Sequence, residues 1–526
     1  MLTGGEVVVA SLAAHGVELV FGIPGTHNLP LYAALERHGI RHVSPRHEQG
    51  AGYAADGYAR VCERPGVAIT TAGPALMNVA AAAGQAQSDS VPLLVIAPGM
   101  PRAHPTASAG YLHEMPSQER AMSGVVERSV RVSSHAELAA ELAAAFTAFR
   151  TQRPRARYVE VPLDLLAETA EATVPQPQHS GPPDPAPAAL ADAVALLRAA
   201  RDVGIVAGGG AAGAADELRA LAERLGAPVI TTTNGKGVLP EDHPLALGSR
   251  LNLPPAREWL ERCGAVLAVG TELGESDVWG PPLALGGPLV RVDIDPLQAH
   301  SNAPAAVAVI GDARAALAAM RDALGDGGPG AAASAGALRS ALDDAHRAQA
   351  TPWVEWLAAL DAALPDDAIV AGDSAMCCYY GAVGGLPARG PRSFLYPTGF
   401  GTLGFAVPAA MGARLARPDR PVLALSGDGG LMFTVAELAS AAALRLPLPV
   451  VVFTNEGYGE IRNEMVDAGF PPVGVDLPVP DLPAVARALG CEGTSVAEPA
   501  ALPDAVAAAF GRSTPTLITV PEGPRA

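Results

Sequence analysis

Short apolar runs rich in β-branched residues alternate with stretches rich in Ala and Leu through most of the 526-residue chain. In the first third of the sequence, the runs at 19–23, 40–44, 67–71, 93–97 and 158–161 have the length of buried strands. The stretches between them, such as 50–60 and 136–149, are typical of helices. This alternation predicts parallel sheets, because parallel strands need a crossover helix and bury both faces of their sheet.

Two breaks in composition divide the chain. Residues 171–188 (EATVPQPQHSGPPDPAPA) are rich in Pro and predict an extended linker, and residues 325–336 (GDGGPGAAASAG) predict a flexible one. The remaining segments, 1–170, 188–324 and 350–526, each have an ordinary domain size. We therefore predict three doubly wound α/β domains, with the first and third as candidates for distant structural relatives.

Charge and hydropathy exclude several classes of partner. The net charge is −18 and the Lys and Arg residues are scattered, which argues against a nucleic-acid-binding face. Apolar runs such as 91–98 and 449–454 are too short to cross a bilayer, and the N-terminus does not have the pattern of a signal peptide. Five cysteines without a CxxC pair suit a reducing compartment. We expect a cytoplasmic protein without a nucleic-acid or membrane partner.

Two strand ends in the third segment carry polar residues. The strand pattern PVLALS (421–426) ends in GDGG, a predicted helix follows at 434–445, and a second strand pattern, PVVVFT (449–454), ends in NEGY. Parallel strands joined by one helix end at the same edge of the sheet, where α/β proteins bind ligands. Asp428 and Asn455 can therefore converge on one point.

These residue types suit a metal and a diphosphate. The Asp428 carboxylate, the Asn455 amide oxygen and a backbone carbonyl near Gly457 form a set of hard oxygen ligands, which Mg²⁺ prefers. Gly429 and Gly430 allow a phosphate to approach the backbone closely. Either segment alone would fit an ordinary turn, but their combination at this spacing favours a site.

The paired GDGG and NEGY segments resemble the signature of thiamine-diphosphate enzymes such as acetohydroxyacid synthases, benzoylformate decarboxylase and pyruvate decarboxylase. FGIPGTHNLPLYAAL, RHEQGAGYAADGYAR and TTAGPALMN resemble the pyrimidine-binding domain of that family, in the same order. The resemblance spans nearly the whole chain. It implies thiamine diphosphate and Mg²⁺ as cofactors, with a pyrimidine-binding, a central and a diphosphate-binding domain, and with Asp428, Asn455 and Gly457 as the metal ligands.

The same resemblance assigns roles to single residues. Glu48 would hydrogen-bond N1′ of the aminopyrimidine, although its local pattern alone is that of an ordinary first-turn Glu. In GFGTLGFAVPAAMG (399–412), Leu403 would be the wedge that bends the cofactor, and the Gly401 carbonyl would hold its imino group. The further cofactor contacts that we expect are Thr71, Asn78, Ser374, Gly429, Gly430 and Tyr458.

The substrate pocket is less defined. Candidate catalytic residues are His27 in the PGTHNLP loop, His113 and Gln118 in GYLHEMPSQERAM, and Glu460 after the metal-binding turn. Histidine suits proton transfer near neutral pH, although most single histidines only occupy a surface. The chain departs from relatives here, since Thr70 and Thr71 stand where benzoylformate decarboxylase has a catalytic His. Thr26, Asn28 and Glu114 are additional pocket candidates.

Decarboxylation of a 2-oxo acid to an aldehyde is the first functional hypothesis. The LHE and YGEIR segments are similar to relatives that decarboxylate the 2-oxo acid of arginine. The acidic turn GTELGESD (Glu272, Glu275, Asp277) could contact a cationic tail, although its pattern fits a solvated acidic turn better. An acetolactate synthase-like carboligase is the alternative, and a non-catalytic thiamine-diphosphate-binding protein is the third. The family implies a homodimer or homotetramer whose active sites lie between subunits.

The segment GGGAAG (208–213) fits the GxGxxG pattern of dinucleotide-binding proteins. That fingerprint also requires an acidic residue at the end of the next strand, but the predicted strand 228–233 is followed by NGKG. We therefore interpret the segment as a glycine turn for helix packing, and we predict no FAD in the central domain.

Overall fold

The computed structural model describes residues 1–104, 108–177, 180–325 and 335–522. Three parallel sheets covered by helices form its architecture, which confirms the predicted fold class. The predicted linker residues 178–179 and 326–334 lie outside the described residues. Among the described helices, none combines the length and the hydropathy that a membrane span needs.

The first sheet has six parallel strands, and each of the five predicted strands is present within about two residues. Their spatial order is Arg41–Val43, Leu19–Gly22, Gly66–Ile69, Leu93–Gly99, Arg157–Pro162 and Arg128–Arg131. The helices around this sheet are Gly4–Ala14, Leu29–Leu35, Glu48–Cys62, Pro74–Ser88, Gln118–Ser123, His135–Thr151 and Leu163–Ala167. A short antiparallel pair, Leu2–Thr3 with Thr169–Ala170, ties the beginning of this region to its end.

The central sheet has five parallel strands, in the order Val229–Thr231, Val203–Ala207, Ala265–Val269, Leu289–Asp293 and Val307–Ile310. Its helices are Pro187–Ala199, Ala215–Leu225, Pro254–Leu260, Glu275–Val278 and Ala313–Leu324. The next helix, Ala335–Gln349, packs on the same region through Leu342.

The third sheet has six parallel strands, in the order Phe394–Leu395, Ile369–Gly372, Val422–Gly427, Pro449–Thr454, Thr516–Pro521 and Glu492–Ser495. Counted along the chain, this order is second, first, third, fourth, sixth, fifth, and the first sheet has the same order. The shared topology supports the expected structural relationship of the two segments. The helices of this region are Val354–Ala363, Val383–Gly385, Ala406–Ala416, Asp428–Thr434, Glu437–Ala443, Gly459–Asp467, Leu482–Ala488 and Leu502–Phe510, together with a π-helix at Cys377–Ala382.

The single helix predicted at 434–445 is wrong in its start and its continuity. The structure has two helices there, and the first begins at Asp428, directly after the strand. Gly429 and Gly430 permit this early start, because a Cβ at Gly430 would lie 3.1 Å from the Asp373 carboxylate and one at Gly429 would lie 3.1 Å from the Gly457 carbonyl.

The first and third regions meet where Glu48–Cys62 crosses Ala406–Ala416. A Cβ at Gly57 would lie 2.2 Å from the carbonyl oxygen of Ala409, and a Cβ at Gly412 would lie 1.9 Å from that of Ala54. The two helices are therefore in backbone contact, and this crossing fixes the helix that begins with Glu48.

Candidate active site

The ends of two neighbouring strands bring Asp428 and Asn455 together, as the sequence predicts. The Asp428 side chain is buried, and its Oδ2 accepts hydrogen bonds from the backbone N–H of Glu456 (2.9 Å) and Asn455 (3.3 Å). Its Oδ1 accepts from the N–H of Gly429 at 3.0 Å. The carboxylate thus joins the GDGG and NEGY turns.

Asn455 offers an oxygen to this point. Its Nδ2 donates to Glu522 Oε2 at 3.0 Å, whereas its Oδ1 is buried without a hydrogen-bond partner among the described atoms. Leaving such an atom without a partner costs free energy, so Oδ1 is a candidate ligand atom. The described residues contain no group of three His, Cys, Asp or Glu side chains suited to a metal. The ligand set expected from the sequence differs from such a group, because it has one carboxylate beside amide and carbonyl oxygens.

The glycines beside these oxygens allow a close approach of neighbouring backbone. A Cβ at Gly429 would lie 3.0 Å from the ring of Tyr458 and 3.1 Å from the Gly457 carbonyl oxygen. Gly457 itself has a φ of +148° and packs against Val475, whose oxygen would lie 1.9 Å from a Cβ. The turn at Gly457 is therefore restricted to glycine.

Asp373, which sequence reasoning missed, organises the wedge loop. It follows the strand Ile369–Gly372, and its buried Oδ1 accepts from the N–H of Gly404 (3.0 Å) and Phe405 (3.3 Å). Burial raises the pKa of this carboxyl group, while the donors that surround it act in the opposite direction. An acidic residue at a strand end was the signal available in the sequence.

The predicted wedge is presented by this loop. Leu403 is half-buried, and it lies between two glycines with left-handed backbones, Gly401 (φ +63°) and Gly404 (φ +82°). Ser374, predicted as a cofactor contact, donates its N–H to Asp373 Oδ1 at 2.9 Å. Ser374 and the wedge loop are thus held by one carboxylate.

Glu48 is the first residue of its helix, and Asn78 is its hydrogen-bond partner. The Asn78 Nδ2 donates to Glu48 Oε2 at 2.9 Å, so two predicted cofactor residues are in contact. The turn that precedes Glu48 is fixed by Glu437, a buried carboxylate that accepts from the N–H of Arg46 and His47 at 3.0 Å each. Glu437 was missed, because no local pattern connects residues 391 positions apart.

Three further predicted residues form one cluster in the first region. The rings of His27 and His113 lie 5.0 Å apart, and the Thr71 hydroxyl is 3.3 Å from His113 Nδ1. His113 has a left-handed backbone (φ +62°) and lies against Gly73. A Cβ at Gly73 would be 2.6 Å from the carbonyl oxygen of His113. Burial, followed by the nearby His113, lowers the pKa of His27.

Other pocket candidates are engaged in holding loops. Gln118 is buried; it accepts from the N–H of Gly73 at 2.6 Å and donates to the Pro98 carbonyl at 2.8 Å. Glu114 binds the backbone of residues 109–111 and His104, and these bonds lower its pKa to about 2. Asn28 closes its own loop through Gly25 and Ile23, while Thr26 is exposed.

Glu460 lies in the first turn of Gly459–Asp467, and its Oε1 accepts from the Tyr380 hydroxyl at 2.5 Å. Tyr380 belongs to the π-helix, an irregularity that is frequent at functional sites. Three aromatic rings surround the Tyr380 ring. Their centroids lie 4.6 Å (Tyr379), 5.7 Å (Trp279) and 6.1 Å (Trp353) from the centroid of Tyr380. A carboxylate beside a cluster of aromatic rings is an environment for a planar cation.

The acidic turn GTELGESD is divided between two environments. Glu272 pairs with Arg155 (2.5 Å) and Arg153 (3.4 Å), so intramolecular cations occupy this candidate for a cationic tail. Asp277 is half-buried and accepts a 3.3 Å bond from the N–H of Thr233; burial raises its pKa to about 7. Glu275 is exposed.

The GGGAAG segment forms a short 3₁₀ turn, Gly209–Ala214, before the helix Ala215–Leu225. A Cβ at Gly208 would lie 2.4 Å from the carbonyl oxygen of Gly270, and a Cβ at Gly210 would lie 2.8 Å from the Cα of Gly270. These two glycines meet a neighbouring loop, and the same turn packs on the helix Ala313–Leu324, where Arg314 Nε donates to the Gly213 carbonyl at 3.0 Å, in agreement with the predicted glycine turn for helix packing.

Comparison with known proteins agrees with this geometry. Residues 2–121 match the N-terminal TPP binding domain of thiamine pyrophosphate enzymes, residues 190–320 the central domain, and residues 375–520 the C-terminal TPP binding domain. The chain therefore belongs to the thiamine pyrophosphate enzyme family, as its motifs predict. It is a thiamine-diphosphate-dependent 2-oxo acid decarboxylase or carboligase.

Individual relatives include both kinds of enzyme. The chain is 42% identical to a probable 2-ketoarginine decarboxylase of Pseudomonas aeruginosa, over 98% of its own length and 93% of the relative's. It is 32% identical to an acetolactate synthase of Mycobacterium avium, over 94% and 83% of the two lengths. An acetolactate synthase large subunit of Parasynechococcus marenigrum is also 32% identical, over 99% and 87%.

Proposed function

We propose that this enzyme decarboxylates a 2-oxo acid with a cationic guanidino side chain, without oxidation, and releases an aldehyde. The observation that carries the substrate proposal is the Glu460 carboxylate, held by Tyr380 beside aromatic rings and one helical turn beyond the predicted metal ligands. The likeness over nearly the full length to a protein named as a probable 2-ketoarginine decarboxylase supports it.

In this proposal Asp428, Asn455 Oδ1 and the Gly457 carbonyl bind Mg²⁺. The backbone of Gly429 and Gly430, with Tyr458 and Ser374 nearby, binds the diphosphate. The buried oxygen of Asn455, which has no partner among the described atoms, and the closeness of Gly429 to the Gly457 carbonyl support this assignment. When bound, thiamine diphosphate supplies a nucleophilic carbon and an electron sink.

The first domain orients the pyrimidine. Glu48, held by Asn78, is positioned to hydrogen-bond a ring nitrogen, and Leu403 with the Gly401 carbonyl fixes the bend of the cofactor. His113, His27 and Thr71 line the acyl-donor side. A decarboxylase must deliver a proton to the carbon that loses CO₂, and this pair of histidines is the source we propose. Gln118 supports the loop at Gly73 by accepting a hydrogen bond from the Gly73 N–H.

The substrate proposal is tested by the charge preference of a Glu460→Gln variant. Wild-type enzyme is expected to prefer the 2-oxo acid of arginine over that of citrulline, in which a neutral ureido group replaces the guanidinium. Glu460→Gln should lower kcat/KM for the cationic substrate roughly 10- to 100-fold, the effect of losing a charge-assisted hydrogen bond, and change the neutral substrate little. The measurement is steady-state CO₂ release with both substrates.

Glu464→Gln is the matched control, because Glu464 lies exposed on the same helix. If the wild type shows no preference for the cation, the guanidino proposal is wrong. If it does, and Glu460→Gln retains that preference, another residue binds the cation.

Acetolactate synthase-like carboligation is the second candidate, favoured by the relatives of that name. The two reactions share the loss of CO₂ and differ in the next step. Mass analysis of the product from a single 2-oxo acid separates them, because the decarboxylase releases an aldehyde and the carboligase releases a coupled hydroxyketone.

We further propose a cytoplasmic homodimer or homotetramer, with domains 1–170, 188–324 and 350–526 and with active sites between chains. Exposed apolar side chains flank the site residues in both regions, and patches of this kind are typical of interfaces. On the first region these side chains are Leu29, Met77 and Leu112, next to Asn28, Asn78 and His113; on the third they are Phe400, Met432, Phe433, Phe470 and Val473.

A further inference from the structure

Asn455 is held at one end of its amide by Glu522, a residue outside the predicted site. Its Nδ2 donates to Glu522 Oε2 at 3.0 Å, and Trp353 Nε1 donates to Glu522 Oε1 at the same distance. Both oxygens of the Glu522 carboxylate therefore accept a hydrogen bond, and each bond comes from a different element. Trp353 is fully buried, so this anchor is rigid.

The sheet places these groups side by side. The strands Pro449–Thr454 and Thr516–Pro521 are parallel neighbours with Thr454 opposite Pro521, so Asn455 and Glu522 each stand one residue beyond a strand end. The N–H of Glu522 also donates to the Thr454 carbonyl at 3.0 Å. The position of Glu522 is thus fixed by backbone pairing as well as by its side chain.

An amide side chain has an accepting end and a donating end, and a metal can use only the accepting end. Glu522 uses one oxygen to accept from Trp353 Nε1 and the other to accept from Asn455 Nδ2, so this contact takes up the donating end of the Asn455 amide. The opposite end, Oδ1, is the buried atom that has no partner among the described atoms. Groups that hydrogen-bond a metal ligand commonly fix its orientation and change metal affinity about 10- to 100-fold.

We propose that Glu522, anchored by Trp353, is a positioning residue that turns the amide oxygen of Asn455 towards the metal. This inference rests on the proposed Mg²⁺ site. It adds that the affinity for the metal is set in part by two residues that do not touch it.

The test is the Mg²⁺ dependence of thiamine diphosphate binding, measured by calorimetry on full-length apoenzyme, without turnover. In Glu522→Gln the side chain keeps one accepting oxygen, but two N–H donors, from Trp353 and Asn455, point at it. The new amide N–H₂ must therefore face one of these donors without forming a hydrogen bond. The Mg²⁺ concentration for half-saturation is expected to rise about 10- to 100-fold. In the double variant Trp353→Phe, Glu522→Gln the competing donor is gone, and most of the affinity should return.

Trp353→Phe alone keeps the carboxylate but removes its anchor, and a rise of a few fold is expected. Glu464→Gln, which changes an exposed carboxylate, is the control for a loss of charge. Wild-type half-saturation in Glu522→Gln overturns the inference, as does a double variant no better than the single one. If Glu522→Gln does not fold, an unchanged half-saturation in Trp353→Phe overturns it instead. A different failure, Mg²⁺-dependent binding that survives in Asp428→Ala, would refute the metal site itself.

Discussion

Buried carboxylates arrange much of this site by accepting hydrogen bonds rather than by contacting a substrate. Asp373 holds the wedge loop, Glu437 holds the turn before Glu48, and Glu522 holds Asn455. Each accepts from backbone or side-chain donors of another segment. The burial of such groups is tolerable because their oxygens are satisfied, which makes each of them sensitive to substitution.

The residue with the sharpest predicted chemical role is Glu48. Glu48→Gln keeps the shape of the side chain and an oxygen for the 2.9 Å bond from Asn78, but it loses the ionisable group. Exchange of the cofactor C2 proton, followed by quenched-flow deuterium labelling and NMR, should slow by orders of magnitude while binding weakens far less. Glu36→Gln, an exposed position in the same region, serves as the control. Exchange at the wild-type rate would refute the assignment.

At the scale of elements, the crossing of Glu48–Cys62 over Ala406–Ala416 connects the two cofactor-binding regions. The crossing depends on the absence of side chains at Gly57 and Gly412. It links the start of the Glu48 helix to the helix that follows the wedge loop, so a disturbance here would reach both parts of the site.

Gly412→Ala is predicted to destabilise the protein by about 1–3 kcal/mol, because its Cβ would lie 1.9 Å from the Ala54 carbonyl oxygen and force the helices apart. We expect calorimetry to show a lower Tm for this variant than for the wild type, together with weaker cofactor binding. Gly390→Ala is the matched control, since a Cβ there meets no atom within 4 Å. An equal Tm for both variants would contradict the backbone-contact model.

At the scale of the whole molecule, Arg60 joins all three regions. It pairs with Asp56 and Asp89 at 2.5 and 2.8 Å and donates to the Asn234 side chain (3.1 Å) and the Tyr396 carbonyl (3.4 Å). The three domains are therefore locked within one chain. The exposed apolar side chains near the site residues are the surface that we propose for a second chain.

Complementation tests whether the active site is shared between chains. In a mixed dimer of Glu48→Gln and Asp428→Ala chains, a shared site combines the intact first domain of one chain with the intact third domain of the other. Co-expression should then restore about a quarter of wild-type activity, since half of the dimers are mixed and one of their two sites is intact. Neither variant alone should be active. No recovery in verified mixed dimers would place each site within a single chain.

Three features of this protein could be predicted from its sequence alone. They are the parallel sheets, the order in which the motifs of the three domains follow one another, and the convergence of Asp428 with Asn455. These features depend on local signals, namely hydrophobic periodicity, glycine-rich turns and the rule that parallel strands end at one edge. The strand before Asp373 carried the same signal, so this residue was within reach of sequence reasoning. The assigned roles of the site residues stay predictions until the variants are measured.

Only the tertiary structure decided which distant groups support the site. Glu437 meets Arg46 across 391 positions, and Glu522 meets Asn455 because the last strand of the sheet is inserted beside Pro449–Thr454 rather than at the edge. The engagement of Gln118 and Glu272 with internal partners was likewise invisible. Such contacts depend on sheet order and domain packing, which arise from the sum of many weak interactions along the chain and leave no local pattern in the residues that they join.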